Sequence, residues 1–301
     1  MKTTTKDTIS ASSTNEMALK VEKNKSATED KNSASSLSGK SSQLQLLTLA
    51  KQFAIDGALK PIEKQQSLAI RFQKREQIKC LRKQKNLETI LKLALGFAGT
   101  DNVNAKIDTD WFSFFLDLAE NVSNSVMQEL WAKILYVEVN DPGSFSLKTL
   151  KIFRAMNIKE AKIFSKACAV AVCDINSQNI RIITGYNVKA GILNSFAAHK
   201  NERFQLNRFG LSYTDIMILA GMNILFAEEI ESTSSAKQGK LQFSYNGLAF
   251  NIKPKKSDCI LSFYKFTQVG TELAQLISDS PDEEFYADLK LRLGYHYDIS
   301  N

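Results

Sequence analysis

Histidine is almost missing from this sequence: only His199 and His296 occur in 301 residues. Neither stands near the four cysteines, Cys80, Cys168, Cys173 and Cys259, whose spacing fits no common zinc signature. The expectation is therefore no metal, no cofactor and four reduced, buried thiols of the kind found in the cytosol. Phosphate-cradling and nucleophile signatures are missing too. There is no G-x-x-x-x-G-K-[ST], no G-x-G-x-x-G, no G-x-S-x-G and no H-E-x-x-H. Common hydrolase and phosphotransferase chemistry is thereby disfavoured, and no catalytic residue is assigned. Long apolar runs are also lacking. The longest, Ile216 to Ala227, has 12 residues, whereas crossing a bilayer takes roughly 20. Lys2 and Lys6 are followed by no apolar stretch, so no secretory signal is expected and the location expected is cytoplasmic.

Large apolar side chains are scarce over residues 1–42, which are mostly Ser, Thr, Lys, Asn and Glu. Such a segment cannot bury enough surface to offset its ordering entropy, and a disordered tail is expected there. Acidic residues are scarce between Lys60 and Lys92, where ten bases face three acids, an excess equal to the net charge of +7 of the whole chain. From Phe204 to Asn301 the balance is reversed, with twelve acids against nine bases. A partner drawn by positive charge should therefore meet the 60–92 segment, and the candidate contacts are Arg71, Lys74, Arg75, Lys79, Arg82 and Lys83. Phe72 is the one aromatic among them, so no base-stacking platform is indicated. The segment also lacks the strong apolar face that a membrane-surface helix needs.

What is present is helical periodicity. Leu44, Leu47, Ala50 and Ala54 predict a helix that stops near Gly57, and Pro61 suits the first turn of a long polar helix from Ile62 to about Ala98. Asp108 or Asp110, Ser123 or Asn124, and Ser144 or Ser146 are placed to cap three short helices, with a fourth starting near Lys159. Their inward faces give the expected core: Trp111, Phe115, Met127, Trp131, Ile134, Leu150 and Phe164. Asp174 to Ala190 reads as a hairpin and Asn207 to Asn223 as a helix. The runs LFAEEI, KLQFSYNGLAFNI and ILSFYKF read as strands. A helix capped by Thr267 follows, with a last one around Phe285 to Leu293. The fold class expected is mainly α with a C-terminal α+β part, divided as a 1–42 tail, a 43–107 helical arm with a long basic helix, a 108–173 helical bundle and a 174–301 winged-helix-like domain.

Two further groups invite functional readings. Asp108, Asp110, Asp117 and Glu120 could form a carboxylate cluster, but the first two fall where a helix cap is needed and no histidine is near. Trp111 and Trp131 could line a ligand pocket, but both are in phase with neighbouring Phe and Leu, so core packing is expected, with each indole N–H seeking a partner. In the winged-helix reading the helix entering a DNA groove would be Leu211 to Asn223, which holds no Lys or Arg.

The segment KNLETILKLAL, then DTDWFSFFLDLAENVSNSVMQELWAKIL, PGSFSLKTL and KEAKIF, resembles an uncharacterised bacterial family known as a domain of unknown function. The match spans roughly residues 60–175 and continues more weakly into FTQVGTELAQLI. A looser likeness, over the Trp131 helix and the following turn and helix, is to the abortive-infection alpha family of phage-defence proteins. The chain departs from that family at LYVEV, Leu135 to Val139. The resemblance implies a fold and names no chemistry. The function expected is a non-enzymatic interaction protein, tied to phage defence by analogy alone, with another protein or a second copy as partner. A nucleic-acid-binding regulator using the basic helix is the alternative, and an enzyme of unrecognised type the third reading.

Overall fold

The computed structural model describes residues 41–99, 106–188, 200–234, 240–255, 259–277 and 280–300. The expected tail (up to residue 40), His199 and the end of the first hairpin lie outside the described residues. The chain divides into two compact units, one ending at Arg75 and one running from Glu76 to Asn301.

In the first unit, Ser41 accepts the Leu44 N–H and starts helix α1 (Ser42–Gln52). The helix ends sooner than its periodicity suggested, because Ala54 takes a left-handed conformation at φ 54°. A short 3-10 turn, Asp56–Leu59, follows. The amide of Gln65 donates to the carbonyls of Ala58 and Lys60, and it ties down the chain around Pro61. Pro61 does not start the long helix as expected. Its backbone is extended and leads only into a single turn, Ile62–Lys64. The long helix α2 begins at Leu68 and ends at Phe97. Its cap is Ser67, whose hydroxyl accepts the Ile70 N–H at 3.4 Å. At 1.5 Å per residue, α2 is about 45 Å long; its residues through Arg75 belong to the first unit and the remainder to the second.

The second unit packs helices around an antiparallel sheet. Asp108 caps α3 (Thr109–Ala119) and Asn124 caps α4 (Ser125–Asn140). Ser146 caps α5 (Leu147–Ala155), while a capping box of Asn157 and Glu160 opens α6 (Ile158–Ala169). Glu129 and Lys133 pair across one turn of α4 at 3.5 Å, as their spacing predicts.

The sheet has strands β1 (Val172–Asp174), β2 (Asn179–Val188), β3 (Lys200–Arg203), β4 (Ile230–Ser234), β5 (Leu241–Tyr245), β6 (Leu248–Pro254), β7 (Cys259–Lys265) and β8 (Tyr297–Ser300). Their order is β4-β7-β2-β1-β5-β6-β8, and every pairing is antiparallel. β1 and β3 share one edge of β2: β1 takes Asn179 to Arg181 and β3 takes Gly185 to Val188. Asn246 and Gly247 both have positive φ, which gives β5 and β6 a tight turn of the kind matched to strand twist. The LFAEEI run is strand only from Ile230 onward. The helix expected over Asn207 to Asn223 is broken by Gly210 at φ 79° into a 3-10 turn, Leu206–Phe209, and α7 (Tyr213–Gly221). Two more helices, α8 (Gln268–Ala274) and α9 (Glu283–Gly294), complete the unit.

One continuous core runs from Ile90 through the helices and sheet to Tyr297. Trp131 is at its helical centre and fully buried, with ring centroids 5.3 Å from Phe115 and 5.4 Å from Phe153. On the sheet side, Thr267 locks α8 onto the loop after α7. Its N–H donates to Ile224 O at 2.9 Å, and its hydroxyl donates to Asn223 O at 2.6 Å. Gly270 permits this approach, since a Cβ there would stand 2.3 Å from Ile224 O. Gly270→Ala is therefore expected to destabilise the unit by about 2 kcal/mol, the usual scale for forcing a group into a packed core. Urea unfolding checks this, and an unchanged midpoint would show that α8 is free to shift.

Candidate functional site

The six cations singled out by charge do not share one open face. Lys74 and Arg75 are exposed, whereas Arg71, Lys79, Arg82 and Lys83 are half-buried. Arg71 lies across Gly57, where a Cβ would stand 2.4 Å from its Cδ. Lys79 pairs with Glu76 at 3.2 Å. The Lys83 ammonium is bound by the carboxylate of Glu120, and that hydrogen bond raises its pKa above the usual lysine value. Glu120 thus answers a cation across the α2–α3 packing. Of the other acids in the suspected cluster, Asp108 accepts the Asp110 N–H as the helix cap.

The apolar residues of the first unit are the more unusual feature. No described residue from Ser41 to Arg75 is buried. Eleven large apolar side chains are exposed there: Leu44, Leu46, Leu47, Leu49, Phe53, Ile55, Leu59, Ile62, Leu68, Ile70 and Phe72. Ile62 is the extreme case, at 86% exposure. So many exposed large apolar side chains within 35 residues of sequence are unusual for a stable monomer, and large exposed apolar patches mark association sites. Helix α1 has 11 residues, too few to hold its shape alone in water, where isolated helices shorter than roughly 12–15 residues are marginal. Lys51, Lys60, Lys64, Lys74 and Arg75 are interleaved with the apolar residues and exposed with them.

The residues that carry the sequence resemblance are instead folded inward. Asn86 donates to Glu120 O at 2.8 Å and accepts from the Gln128 amide at 3.2 Å. Gln128 also donates to Val122 O at 2.9 Å, so a buried amide pair fastens α2 to the α3–α4 turn. The Trp111 indole N–H donates to Phe145 O at 2.7 Å. Phe145 belongs to the Pro142–Ser146 turn, and two buried carboxylates hold that turn. Glu138 accepts the N–H groups of Gly143 at 2.6 Å and Phe145 at 3.0 Å. Glu272, from α8, accepts Ser146 N–H at 2.7 Å and the Gln268 amide at 2.8 Å. Neither glutamate was marked by the sequence. The one local sign is an acid inside the apolar run LYVEV.

Of the expected core residues, Trp111, Phe115, Trp131, Ile134, Leu150 and Phe164 are buried and Met127 is half-buried. Trp131 differs from Trp111 in that its indole N–H has no hydrogen-bond partner among the described residues. The cysteines depart from a uniformly buried set. Cys259 is buried, Cys168 and Cys173 are half-buried, and Cys80 is exposed on α2; none of the four is joined in a disulfide. Among the described residues, no group of three or more His, Cys, Asp or Glu side chains could hold a metal, and no helix is long and apolar enough to cross a membrane. Helix α7, the candidate groove helix, buries Ile216 and Leu219 and carries no Lys or Arg.

Comparison with curated proteins and with solved structures finds no match. A family model described as "Protein of unknown function (DUF2806)" matches residues 70–290. That range spans most of the chain, the amide pair, the clamped turn and nearly all of the sheet, and the protein belongs to this family.

Proposed function

We propose that this is a non-enzymatic interaction protein that self-associates through its N-terminal arm, residues 41–75. The observation that carries this reading is the arm's composition: eleven exposed large apolar side chains and no buried residue. Fully burying a Leu or Ile side chain is worth about 1.5–3 kcal/mol, so a few such residues supply the drive for a stable interface. A second copy is the partner chosen because two-fold pairing of identical patches is the commonest closed assembly. The exposed lysines make the pairing self-repelling. Association is therefore expected to strengthen as salt rises, since screening removes repulsion and leaves apolar burial.

The variant Leu46→Glu, Leu49→Glu, Ile62→Glu, Leu68→Glu tests the arm. It should weaken self-association about a thousandfold, equivalent to losing roughly 4 kcal/mol, with the thermal unfolding of the second unit unchanged. Sedimentation velocity reads the first effect and circular dichroism the second. A variant that associates as tightly as the parent would overturn the reading.

The alternative is a nucleic-acid-binding regulator. Its support is the charge excess over Lys60 to Lys92. Against it stand the pairing of Lys79 with Glu76 and of Lys83 with Glu120, and a candidate groove helix without a cation. The winged-helix-like reading of the C-terminal part rests on α7, the following strands and α8, and it assigns those elements to structure or protein contact. A place in phage defence rests on the sequence likeness described above; plating efficiency of phage on cells with and without the gene tests it.

A further inference from the structure

A cleft of about 870 Å³ opens in the second unit between the C-terminal turn of α6, the C-terminal turn of α8 and the β1–β2 and β5–β6 hairpins. Its size is within the range of pockets that hold small molecules. The polar groups on its wall are uncharged, and include Ser165, Gln178, Ser244, Asn246, Thr271 and Gln275. Among the described residues, no Asp, Glu, Lys, Arg or His lines it. Its two cysteines stay neutral as well: burial pushes the Cys168 thiol up to about 12 and raises that of Cys173. A charged ligand placed here would give up part of its hydration and meet no counter-charge among the described lining residues. A neutral ligand with hydroxyl or amide groups would find both donors and acceptors.

Beside the cleft is a groove of about 340 Å³ with an apolar lining, among them Val126, Met127, Phe153, Met156, Ile158 and Leu273. Its one ionisable side chain, Lys162, is exposed. Ser165, Leu276 and Ile277 line both spaces, so cleft and groove adjoin. Hydrogen bonds tie the described walls together. The Tyr245 hydroxyl donates to Ala169 O at 2.8 Å and accepts the Asp282 N–H at 2.9 Å, which fastens the end of α6 to the β5 strand and the start of α9. Glu272 and Thr267 hold α8 from its other side. We propose that cleft and groove together bind a single-chain amphiphile, with an uncharged, hydrogen-bonding head in the cleft and its hydrocarbon tail in the groove. This site is independent of the association arm.

The test uses the full-length protein and four probes: octyl glucoside below its critical micelle concentration, glucose, octanoate and octyltrimethylammonium. Thermal unfolding is one readout. The other is the rate of Cys173 alkylation by N-ethylmaleimide, resolved by peptide mass spectrometry, with the exposed Cys80 as internal control. Octyl glucoside at tenfold excess over its dissociation constant should raise the melting temperature and slow Cys173 alkylation about tenfold, with Cys80 unaffected. Glucose, octanoate and octyltrimethylammonium should each fall well short. Ala161→Trp, which fills the groove, and Thr271→Trp, which fills the cleft, should each abolish the response. Equal responses to the charged amphiphiles or to glucose would overturn the proposal, as would no response to any probe, or binding that survives both substitutions. If either Trp variant melts early, the probe series on the parent protein decides.

Discussion

Trp131→Ala should destabilise the second unit by about 3–5 kcal/mol, the usual cost of truncating a large buried aromatic. Trp131 is fully buried and its ring bridges Phe115 on α3 and Phe153 on α5. Removing it takes away the contact surface of three helices at once and leaves a cavity that rigid neighbours cannot close. The melting temperature should fall by about 10 °C for a unit of this size. Trp131→Phe should recover much of the loss, because the indole N–H has no hydrogen-bond partner to forfeit. Trp111→Phe should do worse by comparison, since it strands Phe145 O, which now accepts the indole N–H at 2.7 Å. Calorimetry on the three variants orders them. If Trp131→Phe proved as damaging as Trp131→Ala, the missing quantity would be a polar contact and not packing.

The Glu138 clamp carries the second large effect. Glu138→Ala leaves the N–H groups of Gly143 and Phe145 without their acceptor in a site that is 2% exposed for Glu138 itself. An unsatisfied buried donor costs about 1–3 kcal/mol, and bonds to a charged acceptor are at the upper end. The expected loss is about 3 kcal/mol, because the buried Phe145 N–H is stranded while that of the exposed Gly143 can turn to water, with Glu138→Gln losing about half of that because its amide keeps one acceptor. A readout beyond stability separates the clamp from simple packing: amide exchange at Gly143 and Phe145 should rise in Glu138→Gln before the core of α4 opens. Uniform exchange across α4 and the turn would mean that Glu138 supports the helix and not the turn.

The capping chemistry explains why so much of the second unit was legible in the sequence. Asp108, Asn124, Ser146 and Thr267 each sit one residue before a helix and accept an N–H from its first turn. That interaction is local, so the residue type and its spacing to the first apolar position reveal it. Asn246–Gly247 carries the same kind of local mark, a pair suited to positive φ, but the reading of KLQFSYNGLAFNI as strand does not divide the run there. What joins distant segments leaves no local mark. Glu272 reaches Ser146 from 126 residues away, and β4 meets β7, and β8 meets β6, across long connections. The start of α2 was misplaced because Pro61 suits a helix start in sequence, while Gln65 folds back onto Ala58 and Lys60 and Ser67 supplies the real cap. The basic segment was legible as charge, but which of its cations are engaged depended on Glu76 and Glu120, and only one of those is nearby in sequence.

The exposed arm was the feature least visible in advance. Leu44, Leu47 and Ala50 show helical spacing, which ordinarily means a buried face, yet α1 buries none of its residues. The same periodicity that predicts a core here predicts an interface. Sedimentation velocity of the full-length protein across a salt series tests this most directly. Self-association is expected at micromolar concentration, tightening from low to high salt and vanishing in the Leu46→Glu, Leu49→Glu, Ile62→Glu, Leu68→Glu variant. A protein that stays monomeric at every salt concentration, and instead binds duplex or single-stranded nucleic acid with an affinity that falls as salt rises, about −0.9 in logarithmic slope for each phosphate neutralised on duplex DNA, would contradict it.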